Sequence, residues 1–343
     1  MNESVVSQEQ LTKVSAIIEK TLAELNDIIL GKEELHKMMM VAILSKGHVL
    51  LEGLPGVGKT ALVKALGDLL KLQFNRVQFT PDLMPSDILG TNILQEKNDG
   101  SRIMEFRQGP VFTNILLADE INRASPKTQS AMLEAMQESA VTLLGETRNL
   151  PHPFFVLASQ NPIEMEGTYP IPEAQLDRFM FKLYVDSVDS NVLNQIITSR
   201  RRGEPPQAKS HLTSDELLEV YSVMGNIYLP NAVANYIARL VEASHVGSCS
   251  AISEVNEYVA YGASPRAAIA IAESARAVAL LDGRPTVGFD DVKFVTKGAL
   301  NHRLILNYKA KMDNISVFDI IDILLNKISE TNVDLPKNVT IEA

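Results

Sequence analysis

Cysteine occurs once in this sequence, at position 249, which excludes an internal disulfide and leaves too few thiolates for a zinc site. Basic residues are also in deficit: 32 Lys and Arg against 42 Asp and Glu give a formal charge of -10. A field of that sign repels a phosphate backbone unless a local basic groove overrides it, so nucleic acid is a disfavoured partner. Long apolar runs are missing as well. The most apolar stretch, Ala267 to Leu281, still contains Glu273 and Arg276 and falls short of the ~18 apolar residues that mark a membrane span. The opening MNESVVSQEQ lacks the basic and apolar regions of a signal peptide, so a cytoplasmic location is expected. The six histidines, at 36, 48, 152, 211, 245 and 302, show no metal-ligand spacing, and no Ser/His/Asp pattern stands out. There is no internal repeat and no low-complexity tract.

What is present is an ordinary globular balance, 45% hydrophobic and 22% charged. At 343 residues the chain exceeds the usual ~100 to 200 of one domain, so a large domain and a smaller one are expected. Residues 8 to 27 place Leu11, Val14, Ile17, Ile18, Leu22 and Leu25 at helical spacing. From Gly47 onward, β-prone runs at 48 to 52, 74 to 79, 114 to 119, 154 to 159 and 179 to 185 alternate with helix-like stretches. That alternation predicts an α/β fold with a mostly parallel sheet covered on both faces. Two decorations interrupt it: the long segment Thr80 to Val111, with polar KNDGSR at its middle, and AVTLLGETRNLP at 140 to 151, which predicts a hairpin.

GEPPQAKS, 203 to 210, is polar and rich in Gly and Pro and predicts a linker. Helical patterns follow near 213 to 225, 230 to 245, 264 to 282, 289 to 302 and 316 to 329, the first opened by a capping box of Thr213 with Glu216. The expected division is an N-terminal helix (1–28), an α/β core (29–202), the linker (203–210) and an all-helical second domain (211–343).

The strongest chemical signal is GLPGVGKT, Gly53 to Thr60, which fits G-x-x-x-x-G-K-[ST] between a predicted strand and a predicted helix. Its glycines let backbone amides turn inward around phosphates, Lys59 brings a cation to the β- and γ-phosphates, and Thr60 can ligate magnesium. ILLADE, Ile115 to Glu120, ends a buried-type strand in two acids. Asp119 is assigned to the magnesium ion and Glu120 to polarising the attacking water. Asn161 stands just past another strand, where ligand sites of open α/β sheets lie, although an Asn before Pro162 also suits a simple turn. In GASPRA, Ser264 is a predicted cap and Pro265 the first helical residue. Arg266 therefore falls in the first turn, where the helix dipole disfavours a cation. A phosphate bound between the two domains would remove that conflict; a tolerated exposed arginine is the alternative.

Arg178, in EAQLDRFMFKL, directly precedes the last strand's apolar run. Asp177 is one partner for it, but neighbours on an extended chain point to opposite sides, which leaves room for an anion from elsewhere. The basic run Arg200 to Arg202 is expected at a helix end, where cations complement the dipole.

Taken in this order, the phosphate loop, the DE strand, the Asn after the fourth strand, LDRF and SPRA resemble the AAA+ ATPases, and specifically the MoxR family. PDLMPSDILG, FRQGPVF, ADEINRASPKTQSAMLEAMQE and SQNPIEMEGTYPIPEAQLDRFMFKL look like that family's characteristic stretches, and the likeness runs from about Ile29 to Arg303. The resemblance implies a five-stranded αβα domain with a helical lid, the two decorations being the helix-two insert and the pre-sensor hairpin. It implies binding of ATP or ADP with Mg2+ by Gly53, Leu54, Pro55, Gly56, Val57, Gly58, Lys59, Thr60 and Ala61. Ile29, Leu30 and Gly31 would contact adenine. Asn161 matches sensor one and Arg266 sensor two. Arg178 matches an arginine finger acting on the neighbouring subunit of a ring, commonly a hexamer, and Arg123 is a further candidate for that interface.

Family members are thought to act as chaperone-like remodellers, often with a separate partner carrying a von Willebrand factor A domain. The expected activity is Mg-dependent ATP hydrolysis; a nucleic-acid motor of the same fold and a slow ATP-controlled binding switch are its rivals.

Overall fold

The computed structural model describes residues 7–53, 56, 58–96, 102–161, 167–200, 205–209 and 212–331. Ser7 caps the first helix, α1 (Gln8–Ile28), by accepting from the Gln10 amide at 3.2 Å. Then come α2 (Glu33–Leu44), β1 (Val49–Gly53), α3 (Lys59–Leu69) and β2 (Phe74–Gln78). The first decoration holds α4 (Pro85–Leu89) and an antiparallel hairpin of β3 (Gly90–Glu96) and β4 (Arg102–Gln108). β5 (Ile115–Asp119), a 3-10 turn at Ile121–Arg123 and α5 (Pro126–Glu138) precede the second, the hairpin of β6 (Ala140–Leu143) and β7 (Glu146–Asn149). β8 (Phe155–Gln160), α6 (Glu173–Leu176), β9 (Phe181–Val185) and α7 (Ser190–Ser199) complete this part.

β1, β2, β5, β8 and β9 form one sheet in the order β2-β5-β8-β1-β9, every pairing parallel. All five strands therefore end at one edge and begin at the other. Their period-two alternation sorts the core. Leu51, Leu117, Leu157, Phe181 and Leu183 face a cluster containing α1, α2 and α3, while Leu50, Leu116, Ala118 and Val156 face α5.

The chain beyond residue 212 contains α8 (Ser214–Met224), α9 (Asn231–Ala243), α10 (Ser253–Tyr258), β10 (Val259–Tyr261), α11 (Pro265–Leu281), α12 (Phe289–Leu300), β11 (Ile305–Leu306), α13 (Tyr308–Met312) and α14 (Val317–Lys327). It is a helical lid, but not all-helical as expected: the short helices α10 and α13 and the strands β10 and β11 add to the five predicted helices. β10 and β11 pair antiparallel, too briefly for an alternating pattern to register in the sequence. The capping box at Thr213 and Glu216 forms as predicted, with the Thr213 amide donating to Glu216 at 2.7 Å.

The lid docks on the same side of the sheet as α2. Its Ala267, Ile271, Val295 and Ala299 share one core cluster with Met39, Ile43 and the α1 residues Leu11, Val14 and Leu25. Tyr221 donates to the Ile43 carbonyl at 3.3 Å, and Asn301 donates to that of Lys182 on edge strand β9 at 2.8 Å. Among the described residues no helix is long and apolar enough to cross a membrane.

Candidate active site

Gly53 ends β1 because β9 runs close beside it: a Cβ there would stand 2.5 Å from the Val185 carbonyl. Gly56 and Gly58 have φ of 83° and 89°, with nothing within 4 Å of a notional Cβ. Glycine is needed there for the backbone turn, and the space beside it is open to a ligand. Leu54, Pro55 and Val57 lie outside the described residues. Lys59 opens α3, followed by Thr60 and Ala61 in the first turn, so the free amides and positive end of α3 point where the loop closes. The Lys59 ammonium donates to the Gly53 carbonyl at 2.8 Å. Burial pushes its pKa down, opposed by Asp119, Glu120 and Glu52. A cation that is part-buried and, among the described residues, held by one neutral carbonyl is suited to a phosphate.

Asp119 and Glu120 end β5 at the same edge of the sheet. Asp119 is buried and accepts from Ser159 Oγ at 2.5 Å and from the Arg76 guanidinium at 2.7 and 3.2 Å. Glu120 adopts a left-handed conformation, φ 56°, which costs a non-glycine residue roughly 1 kcal/mol or more. Its amide donates to Ser159 Oγ at 3.0 Å, and its carboxylate accepts from Gln78 at 2.6 Å and Arg123 at 3.0 Å. One buried hydroxyl on β8 thus fixes both acids. A magnesium ion fits this donor set: the Thr60 hydroxyl and the Asp119 carboxylate are hard oxygen ligands, and Asp119 already attracts a cation, Arg76.

Asn161 is buried just past β8, beside these groups. Ile29, Leu30 and Gly31 form the turn after α1. A Cβ on Gly31, φ 75°, would stand 2.7 Å from Val192, so α7 lies against this turn. Arg123 sits with Glu120, at the phosphate-loop edge.

Arg178 and Arg266 lie at the opposite edge, and the structure there differs from two readings of the sequence, the extended chain at Asp177 and a phosphate bound between this chain's own core and lid. Asp177 and Arg178 are not extended chain: Asp177 ends α6 with φ -59° and ψ -15°, and β9 begins only at Phe181. Asp177 nonetheless leaves Arg178 alone, because its carboxylate is taken by Arg303 Nε at 2.8 Å and by Ser264 at 2.9 Å. Arg178 donates to the Leu133 carbonyl at 3.0 Å, and its Nε is buried without a partner.

Ser264 caps α11 and Pro265 opens it, as predicted, but Arg266 does not face this chain's own phosphate loop. Its nearest acid is Asp177, at 4.0 Å. Both arginines line an open cavity of about 650 Å³ with Lys46, His48, Phe154 and Arg303, residues around the starts of β1, β8 and β9. Five-residue β1 separates that edge from Gly53 by roughly 16 Å, so a phosphate held between this chain's own core and lid at Arg266 is not the one in its own loop. Of the basic run, Arg200 caps α7 and donates to the Asp27 carbonyl at 2.9 Å; Arg201 and Arg202 lie outside the described residues.

Sequence reasoning missed Ser159, Arg76, Gln78 and Arg303. Ser159 had a signal, a small hydroxyl one residue before the end of an apolar strand. The others carry no motif, since their roles come from neighbours far along the chain.

Comparison with known proteins agrees with this geometry. Residues 48–181 match the family described as ATPase family associated with various cellular activities (AAA), and residues 252–324 match the AAA lid domain. Chaperone MoxR1 of Mycobacterium tuberculosis is 44% identical over 93% of this chain and 82% of its own. Protein MoxR of Paracoccus denitrificans is 28% identical over 83% of this chain and 87% of its own. A crystal structure from Cytophaga hutchinsonii matches with a TM-score of 0.85 and 38% identity, covering 94% of this chain and 97% of that one. A phosphate loop and acid pair at one end of a five-stranded parallel sheet, a docked helical lid, and these likenesses along nearly the whole length lead to one conclusion: the chain belongs to the MoxR family of AAA+ ATPases.

Proposed function

We propose that this protein hydrolyses ATP to ADP and phosphate at sites shared between copies of the chain in a ring, and uses the cycle to remodel other proteins. The observation that carries the reading is the placement of Arg178 and Arg266 at the sheet edge opposite the phosphate loop. Among the described residues, Lys46, Arg178 and Arg266 line that cavity with the internally paired Arg303, and Asp177 is the one acid there. Such a surface fits the phosphates of a nucleotide held by the next copy.

Within one site, Gly53 to Thr60 cradle the phosphates and Lys59 approaches their terminal oxygens. Thr60 and Asp119 hold the magnesium ion, which when bound neutralises phosphate charge. Glu120 accepts a hydrogen bond from the attacking water and Asn161 orients it. Ile29 to Gly31 flank the base. Arg178 and Arg266 of the next copy stabilise the charge that develops on the γ-phosphoryl oxygens. The relative named as a chaperone supports protein remodelling, and a separate partner with a von Willebrand factor A domain fits the family. The net charge of -10 favours a protein client over nucleic acid. A hexameric ring, a cytoplasmic location, and boundaries at 28, 202 and 210 belong to the same proposal.

The test mixes two inactive variants. Arg178→Ala should lower turnover by roughly a thousandfold, as loss of a finger arginine does, and Glu120→Gln should abolish it while keeping ATP bound. Mixed together they should regain turnover at Arg178→Ala sites served by Glu120→Gln neighbours. Turnover per subunit that depends neither on protein concentration nor on Arg178 would overturn the shared site.

A further inference from the structure

Arg303 follows α12 and is one of the most buried charges in the protein, its side chain only 3% exposed. Among the described residues, its hydrogen bonds all go to the segment that carries Arg178 or to the helix it comes from. Nε donates to the Asp177 carboxylate at 2.8 Å. One terminal nitrogen donates to the Met180 carbonyl at 3.1 Å and to Ala299 at 2.5 Å, the other to Asp177 at 3.0 Å and Phe179 at 2.7 Å. The backbone on both sides of Arg178 is therefore clamped by a residue of the lid. The same Asp177 carboxylate accepts from Ser264, the cap of α11, two residues before Arg266.

We propose that Asp177 and Arg303 are positioning residues. They tie the guanidinium of Arg178, on the core, and that of Arg266, on the lid, to one frame so that both meet the same anion on a neighbouring copy. The inference rests on the shared-site reading above.

Adhesion of lid to core does not need a charge pair at this place. Gly298 of α12 lies against Phe181, Leu183 and Met38, and apolar contact of that kind holds two surfaces together without the desolvation cost of buried ions. A fork that uses every guanidinium N–H instead fixes direction. Asp177 adds a second function, since its carboxylate is bonded to both lid elements at once, the residue after α12 and the cap of α11. Movement of the lid must then carry Arg178 and Arg266 together. Arg178 itself donates to the Leu133 carbonyl, lines the cavity and keeps a buried Nε without a partner, a donor left over for an incoming phosphate.

The test uses the full chain with two conservative variants, Asp177→Asn and Arg303→Lys. Each should lower kcat of the assembled protein by roughly ten- to hundredfold, the cost of a misplacement near 1 Å, with KM and the binding of a fluorescent ATP analogue unchanged. Adding Glu120→Gln subunits, whose Asp177 and Arg303 are intact, should restore turnover at the variants' own sites. A purely structural pair would not show that rescue. Wild-type kcat in both variants overturns the inference, as does loss of assembly or of thermal stability that accounts for the lower rate. An Arg178→Ala and Glu120→Gln mixture run in parallel separates the two ideas. If it recovers and the Asp177→Asn mixture does not, the frame fails alone; if neither recovers, the shared site fails.

Discussion

Replacing Ser159 with alanine removes one oxygen from a fully buried position and should disturb both acids at once. The lost bonds are the 2.5 Å contact to the Asp119 carboxylate and the 3.0 Å contact from the Glu120 amide. A hydrogen bond to a charged group is worth about 1.5–3 kcal/mol and a neutral one about 1 kcal/mol, so a loss near 3 kcal/mol is expected. Unfolding entropy scales as roughly 2.1 cal/mol/K per residue, which for 343 residues turns that loss into a melting temperature about 4 °C lower. Arg76 still holds the other oxygen of Asp119, so the site should deform rather than collapse. Glu120 loses the anchor that offsets its left-handed backbone, and its carboxylate should drift. Turnover should fall roughly tenfold or more, with nucleotide affinity nearly unchanged. Differential scanning calorimetry and a steady-state phosphate-release assay read the two effects. A melting point within 1 °C of wild type together with full turnover would refute the claim that Ser159 organises the pair.

Lys59→Ala should weaken nucleotide binding itself, measured by titration calorimetry, whereas Glu120→Gln should leave that affinity intact and remove turnover; the opposite split would exchange their assigned roles. His48 donates from Nε2 to the Met136 carbonyl and accepts from the Val156 amide, and burial lowers its pKa to about 4, with the Met136 carbonyl opposing. The unfolded chain therefore takes up this proton first, so stability present above pH 6.5 is lost as pH falls toward 4. A fully enclosed ring would account for about 3 kcal/mol, which solvent reaching it from the cavity trims to about 2 kcal/mol. Denaturant midpoints for His48→Gln should vary less across that window than those of wild type, and equal slopes would exclude the residue. Leu144 is 82% exposed at φ 53° in a two-residue hairpin turn, so Leu144→Asn should stabilise by up to ~1 kcal/mol in thermal melts; destabilisation would mean that the leucine has a partner.

The sheet and most helices were legible because their signals are local. The short, continuous apolar runs in HVLLE and FFVLAS mark strands buried on both faces wherever their neighbours stand, and Thr213 with Glu216 closes its own capping box. α2 was harder to read. Its residues Met38 to Leu44 are buried all round, so they form no amphipathic stripe. The phosphate loop and acid pair were legible for the same local reason, each being one short run of chain. Arg266 was only half legible. Its place in the first turn of α11 follows from Ser264 and Pro265, but which end of the sheet it faces depends on how the lid docks, and that is set by contacts such as Arg303 with residues 177 to 180. The partner of Asp177 lies 126 residues away, beyond any window of sequence pattern.

If copies meet as proposed, the opposite placement of the phosphate loop and Arg178 would make each protomer a connector with two unlike ends. Contacts between unlike ends are head-to-tail, and such contacts either close into a ring or continue as a filament, depending only on the angle between the ends. In this chain that angle would depend on the five-stranded core and on a lid bonded to residues 177 to 182. Stoichiometry would then be a property of the core itself, and a small repacking at the β9 edge would change how many copies fit around the circle.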